Sequence, residues 1–128
     1  MTTKNILLIH NESNTEEIIQ MFLTYGTDWN VQLTNSFFDG LEQAKLNHPD
    51  AIVLDVCLTE NDVLWFAKQL RNLPQTEKIS IVLLSLRPKW FDFKQFEQYQ
   101  VTIVIVNPFD LSRLPVEIAH VLGWNPPD

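Results

Sequence analysis

The chain has 128 residues, a formal net charge of −7 and a sequence pI near 4.8. This length fits one domain with a buried core, so we expect residues 1–128 to form a single domain. The nine Lys and Arg residues are scattered, which argues against binding to nucleic acid or to an anionic membrane. With one cysteine, no apolar run long enough to span a bilayer and no signal-peptide cleavage site, the composition favours a cytoplasmic protein.

The first elements run from residue 6 to residue 34. Residues 6–9 (ILLI) predict a strand buried on both faces, and the polar residues 10–12 (HNE) follow it directly. Ser13 or Asn14 can cap a helix that Gly26 ends. The apolar residues of this helix repeat with a 3.6-residue period: Ile18, Met21, Phe22 and Tyr25. Alternating apolar and polar residues at 29–34 then predict a strand near the edge of a sheet.

The middle of the chain repeats this arrangement. Phe38, Leu41 and Ala44 mark a second helix, closed by the turn at residues 47–50 (NHPD). Ala51–Leu54 predicts a second doubly buried strand, and Asp55 follows it. Residues 62–72 predict a third helix that stops before Pro74, in which Trp65 is expected to pack in the core or at its edge.

The last elements include the most aromatic segment of the chain. Residues 81–84 predict a third doubly buried strand, followed by Ser85. Residues 89–99 predict a fourth helix with several aromatic rings, among them Trp90 and Phe91. Some of these rings could be exposed at a partner surface, and packing of the rings in the core is the equal alternative. Residues 101–106 (VTIVIV), almost entirely β-branched, predict a central or well-covered strand that ends at Asn107. Residues 111–122 predict a fifth helix with Pro115 in its first turn.

Strands that alternate with single helices predict an α/β fold with a parallel sheet covered on both faces. Because the carboxyl ends of parallel strands meet at one edge of the sheet, the polar residues after the strands should lie together there. These residues are His10, Asn11, Asp55, Ser85 and Asn107.

Four fragments in order, KNILLIHNE, HPDAIVLDV, ISIVLLS and IVIVNPFD, resemble the receiver domain of bacterial two-component response regulators. The resemblance runs from Lys4 to Trp124, and the closing FDLSRLPVEIAHVLGW is similar to a cyanobacterial subgroup. It implies a five-stranded, flavodoxin-like, doubly wound three-layer sandwich in a single receiver-like domain over residues 1–128. It also implies that Asp55 has the phosphoacceptor position, with Ser85 at the position that contacts phosphate.

The chain departs from the receiver pattern at the positions that hold charge. His10 and Asn11 replace the two acids that hold magnesium in the family, and Asn107 replaces the phosphate-contacting lysine. Together with position 55, the receiver pattern has three acids and one lysine here, which gives a formal charge of −2. In this chain only Asp55 is charged, so the formal charge of the four positions is −1 with His10 neutral. Magnesium prefers oxygen ligands, and phosphoryl transfer to a carboxylate needs cations to offset the joined negative charges. The substitutions therefore predict weak or absent magnesium binding and no other cofactor.

These departures favour a degenerate, non-enzymatic receiver that signals by protein–protein contact without phosphorylation. We expect a protein partner, namely a histidine kinase, an output protein or another signalling domain. Formation of a homodimer is a further possibility. In receivers the fourth helix, fifth strand and fifth helix form the usual output surface, which here would include Trp90 and Phe91. The competing prediction is a genuine phosphoacceptor in a phosphorelay, phosphorylated on Asp55.

Other hypotheses rest on the same residues. His10 and Asp55 could ligate zinc or iron, but two ligands fall short of a site, and a hydrogen bond between them is the simpler expectation. Such a pair could also act as a pH-sensitive latch. Ser85, His10 and Asp55 suggest a hydrolase triad, although no Gly-x-Ser-x-Gly turn surrounds Ser85. Cys57 could sense redox state, but no basic residue is near it in sequence.

Overall fold

The computed structural model describes residues 3–10, 15–55, 58–86, 93–107 and 109–125. Its five strands form one sheet in which all neighbouring strands are parallel. The spatial order is β2-β1-β3-β4-β5, which is flavodoxin-like and confirms the predicted fold class. The strands are β1 (Asn5–Ile9), β2 (Asn30–Thr34), β3 (Ala51–Leu54), β4 (Ser80–Ser85) and β5 (Val101–Ile105).

Five α-helices connect or follow these strands, and a short 3₁₀ turn at Leu111–Arg113 precedes the last of them. Within the described ranges, none of the helices has the length and apolar character that crossing a membrane requires. The helices are α1 (Thr15–Tyr25), α2 (Phe37–Asn47), α3 (Glu60–Arg71), α4 (Phe93–Gln98) and α5 (Leu114–Leu122).

The sheet has a hydrophobic core on each of its faces. Alternating strand side chains enter the two cores, so that Leu7 and Ile9 lie in one and Ile6 and Leu8 in the other. Helices α2, α3 and α4 cover the first core, and α1 and α5 cover the second. β1, β3 and β4 are buried on both faces, as their continuous apolar runs predicted.

The prediction for the last strand was wrong in its position. β5 pairs only with β4 and forms an edge of the sheet, and Thr102 and Ile105 are exposed on it. β-branched residues favour a strand wherever it lies in a sheet, so their density did not report burial. The edge position predicted for residues 29–34 is confirmed by β2.

Helix α1 buries a different face from the one that its sequence pattern suggested, and α2 differs from its pattern at one position. In α1 the buried residues are Ile19 and Leu23, whereas Ile18, Met21 and Tyr25 of the predicted apolar stripe are exposed. In α2 the predicted residue Ala44 is buried and Leu41 packs against the core, whereas Phe38 is exposed. Gly40 is buried as well. A Cβ atom at position 40 would lie 2.5 Å from Cδ1 of Ile9, so glycine permits the close approach of α2 to β1.

The starts of α3 and of the fifth helix differ from their predictions, and the predicted start of the fourth helix lies outside the described residues. α3 begins two residues earlier than expected, because the Thr59 hydroxyl accepts a hydrogen bond from the Asp62 N–H (3.3 Å) and caps the helix. The described part of the fourth helix is Phe93–Gln98, and the predicted residues 89–92, with Trp90 and Phe91, lie outside the described residues. The fifth helix starts with the 3₁₀ turn, and Pro115 is in the first turn of α5 as predicted.

Arg71, the last residue of α3, joins the helix to two other segments by four hydrogen bonds. Its guanidinium donates to the carbonyls of Glu77 (3.0 Å) and Ile79 (2.7 Å) before β4, and to those of Tyr99 (2.8 Å) and Gln100 (3.3 Å) before β5. Partial burial lowers the pKa of Arg71 by desolvation, but a guanidinium stays charged at neutral pH. Only the forked shape of arginine reaches all four carbonyls.

We expect Arg71→Ala to lower the free energy of unfolding by about 2–4 kcal/mol, because hydrogen bonds from a charged donor are lost at a half-buried site. Arg71→Lys should recover only part of this loss, since a single ammonium cannot reach both segments. Urea denaturation followed by circular dichroism measures the effect. Lys78→Ala, which removes an exposed cation from the same region, should stay within about 0.5 kcal/mol of the wild type.

Among the residues that the structure describes, two other than glycine have a left-handed backbone: His48 at the end of α2 (φ 46°) and Gln100 before β5 (φ 58°). A Cβ atom is unfavourable in this conformation. His48→Gly should therefore stabilise the fold by about 0.5–1 kcal/mol. The neighbouring Asn47→Gly, in a helical backbone, should destabilise it by a similar amount. Paired thermal denaturation curves with shifts of the same sign would contradict this interpretation.

Candidate functional site

The candidate site lies where β1 and β3 end, at the point where the strand order reverses. Ile9 is the register partner of Leu54, and the Asp55 N–H donates to the Ile9 carbonyl (3.0 Å). This hydrogen bond extends the pairing past both strands and places His10 beside Asp55. Both residues continue the alternation of Leu8 and Val53, so they fall on the α1/α5 side of the sheet.

His10 and Asp55 are both buried, and the Asp55 side chain has no exposed surface. The His10 N–H donates to the Thr34 carbonyl at the end of β2 (3.1 Å), which holds the β1 end from its other side. Thr34 is itself buried, although we did not predict it as part of this edge. Its place as the last residue of the alternating segment was the signal that could have identified it.

Ser85 is the last residue of β4 and is also buried. Leu54 pairs with Leu83, so Ser85 lies two residues beyond that pair, at the same edge as Asp55. Its carbonyl accepts the Val106 N–H (2.7 Å), which connects the ends of β4 and β5. The predicted grouping of strand ends is thus present for His10, Asp55 and Ser85.

Asn107 follows β5 at this edge, but its side chain is bonded to its own loop. The Asn107 Oδ1 accepts the Phe109 N–H (3.0 Å), and the Asn107 carbonyl accepts the Asp110 N–H (3.1 Å). These bonds form an Asx turn, a local structure that asparagine favours and that a lysine side chain cannot make. Phe109 projects from this turn with 96% of its surface exposed.

The described residues contain no group of three or more His, Cys, Asp or Glu side chains that could hold a metal ion. Around Asp55, the only other described ligand candidate at the ends of β1 and β3 is the imidazole of His10. Asn11, predicted as a member of this site, lies outside the described residues, as does Cys57.

A second feature of interest is the surface formed by β5 and α5. It contains a groove of about 490 Å³, lined by three residues of β5 and by residues of α5 and the turn before it. Ile105, Val116 and Val121 are exposed apolar residues on this surface. Arg113, Glu117 and His120 add polar groups to the same groove. The combination of an apolar centre and charged surroundings is typical of protein interfaces.

Comparison with known proteins relates the whole fold to one family. A family model described as "Response regulator receiver domain" matches residues 6–119. The response regulator ArlR of Staphylococcus aureus is 26% identical over 121 residues, which cover 94% of this chain and 53% of that protein. The chain thus spans about half the length of the curated relatives that it matches.

Solved structures agree on the fold. The receiver domain of a sensor histidine kinase from Pseudomonas aeruginosa, solved with a magnesium ion in its active-site cleft, superposes with a TM-score of 0.77 at 19% identity. The alignment covers 95% of this chain and 99% of that one. The chemotaxis response regulator CheY4 of Vibrio cholerae has a TM-score of 0.77 at 17% identity, with 94% and 99% of the two chains covered.

The Asx turn predicts how Asn107 variants behave. Asn107→Ala should increase the hydrogen-exchange rate of the Phe109 amide several-fold, because its acceptor is lost. Asn107→Asp keeps an acceptor oxygen at the same place and should leave the rate near that of the wild type. NMR-detected exchange at residue 109 measures this, and equal rates in both variants would contradict the assignment.

Proposed function

The chain belongs to the response regulator receiver domain family, and we propose that it is a degenerate receiver that signals without phosphorylation of Asp55. The family is a signalling domain of two-component systems and supports a regulatory role, not an enzymatic one. The observation that carries the proposal is the side chain of Asn107. It stands at the position of the phosphate-contacting lysine, brings no positive charge, and has its acceptor oxygen bonded to the Phe109 N–H.

The residues beside Asp55 support the same proposal by their chemistry. The receiver domain of the Pseudomonas aeruginosa kinase holds a magnesium ion in its active-site cleft. Here the buried residue His10 follows β1 at the position beside Asp55 where the receiver pattern has an acid. Magnesium keeps near-octahedral oxygen coordination and rarely accepts imidazole, so these residues do not fit it. We therefore derive no phosphoryl transfer through a metal at this site.

The residues at this site can hold the strand ends in one arrangement. A buried carboxylate must be paired or hydrogen-bonded to be tolerated, and His10 is placed to supply such a partner to Asp55. At this edge the His10–Thr34 hydrogen bond joins the ends of β1 and β2, and the Val106–Ser85 hydrogen bond joins the ends of β5 and β4. We propose that this edge keeps a fixed conformation where active receivers have a phosphorylation-dependent one.

The alternative function is a genuine phosphoacceptor in a phosphorelay. Asp55 and Ser85 favour it, because both keep the residue types of the receiver pattern at the ends of β3 and β4. In that case phosphorylation would need a metal site unlike the usual one, with fewer acidic ligands. A zinc or iron site, a pH-sensitive latch and a hydrolase triad stay weaker hypotheses for the same residues.

We further propose that the chain acts through a protein partner that docks on the β5/α5 surface. The exposed apolar side chains of Ile105, Val116 and Val121 support this. The predicted members Trp90 and Phe91 lie outside the described residues. A histidine kinase, an output protein or another signalling domain fits this role. Residues 1–128 are proposed to act as one receiver domain, since all five strands belong to one sheet.

The decisive experiment offers a phosphoryl group to Asp55. We expect no adduct by intact mass after incubation with magnesium and acetyl phosphate, and no change of Trp fluorescence with magnesium and beryllium fluoride. The combined variant His10→Asp, Asn11→Asp and Asn107→Lys should recover both responses, because it restores the two acids and the lysine.

The matched control is the same combined variant with Asp55→Ala, which should lose the recovered adduct. A stable adduct on wild-type Asp55 would contradict the proposal of a degenerate receiver and support the phosphorelay alternative. If the combined variant folds, binds magnesium and still fails to react, the charge argument is wrong, even if the wild type is inert.

A further inference from the structure

The outer surface of α2 and α3 carries an exposed pair of aromatic rings. Beneath it, the rings of Phe37 and Phe66 pack with centroids 5.0 Å apart, and Phe66 is fully buried. Outside it, the rings of Phe38 and Trp65 lie 6.0 Å apart, with 74% and 41% of their residue surfaces exposed. Packing in the core accounts for the contact between Phe37 and Phe66, but not for the contact between the exposed rings of Phe38 and Trp65. Exposed aromatic residues in contact with each other are typical of protein interfaces.

Trp65 lies midway between two opposite charges on the same helix. Asp62 precedes it by three residues and Lys68 follows it by three, and both are exposed. Because side chains three apart are neighbours on a helix, the three residues form one stripe. The charges are separated by six residues, or about 9 Å along the helix axis. In the described part of the chain, no ion pair includes Asp62 or Lys68.

This stripe is complementary to itself. A two-fold axis that lies in the plane of contact above Trp65, at right angles to this stripe, reverses the direction of the stripe in the second copy. A second copy rotated about that axis would therefore place its lysine against Asp62 and its aspartate against Lys68. A symmetric dimer requires such a surface, in which residue i contacts residue j and residue j contacts residue i.

We propose that a second copy of this chain docks on the α2–α3 surface around this axis. The two Trp65 rings lie at its centre, each beside its own Phe38, and two Asp62–Lys68 pairs flank them. Trp is the residue type most often responsible for binding energy at the centre of an interface, and surrounding charges set orientation. The proposal concerns a surface separate from the β5/α5 groove and does not depend on whether Asp55 is reactive.

The dimensions of the surface set the expected strength. α3 has 12 residues and is therefore about 18 Å long, so the contact belongs to the small class of interfaces. We expect a weak, reversible dimer, with a dissociation constant of about 10 µM to 1 mM. Added salt should weaken it, because exposed charge pairs are screened, while the aromatic contact persists.

Charge exchange tests this arrangement. Asp62→Lys alone places two lysines together at both flanks, and Lys68→Asp alone places two aspartates together. Each variant should bind itself at least tenfold more weakly than the wild type. An equal mixture of the two should form a heterodimer of about wild-type strength, because opposite charges meet again at both flanks. Sedimentation velocity measures the association, and native mass spectrometry identifies the mixed species.

Matched controls carry the same charge changes on other surfaces. Asp28→Lys and Lys78→Asp, both at exposed positions, should leave self-association close to that of the wild type. Trp65→Ala should weaken the dimer at least tenfold, with an unchanged circular dichroism spectrum. It keeps the proposal testable if Asp62→Lys weakens the start of α3.

Three results would overturn the proposal. The first is a wild-type chain that stays monomeric up to about 1 mM. The second is a dimer that survives Trp65→Ala or whose charge variants do not recover on mixing. The third is a dimer broken instead by Met21→Ser or Val116→Ser, which line the groove between α1 and the start of α5. That result would assign the second copy to the α1/α5 surface.

Discussion

The hydrogen bond from the Asp55 N–H to the Ile9 carbonyl is the constraint on which the candidate site depends. It continues the parallel β1–β3 pairing one residue beyond both strands, at the point where the strand order reverses. Because parallel strands share one carboxyl edge, this bond determines that His10 meets Asp55. An acid at position 10 would meet the same carboxylate and require a cation between them. An imidazole requires none, so a single residue change alters what the edge can bind while the fold is retained.

Asn107 illustrates the same relation between a position and its chemistry. In the receiver pattern the residue after the last strand extends a positive charge toward the phosphoryl group. Here the shorter side chain bonds to the backbone of the next turn and leaves Phe109 exposed. The side chain of Asn107 is thus part of a local turn. Together with the hydrogen bond from the Val106 N–H to the Ser85 carbonyl, this turn supports the proposed fixed conformation of the edge.

The composition of the exposed surfaces depends on a different factor, namely which side of each helix packs against the core. α3 buries Val63, Phe66 and Leu70, and this leaves Trp65 outside between its two charged neighbours. In α1 the core accepts Ile19 and Leu23, so an apolar stripe with helical period remains on the surface. The exposed parts of these residues are available for contacts with partners or with a second copy.

The sequence by itself determined the order of strands and helices, the parallel sheet and the identity of the residues at the strand ends, because these follow from local periodicity and chain connection. The tertiary structure decided the rest. It made β5 an edge strand, selected the buried face of α1, and joined three segments through Arg71. These outcomes depend on contacts between distant residues. In an aromatic or β-branched segment, several faces are apolar enough to be buried, and only packing against the remainder of the fold selects one.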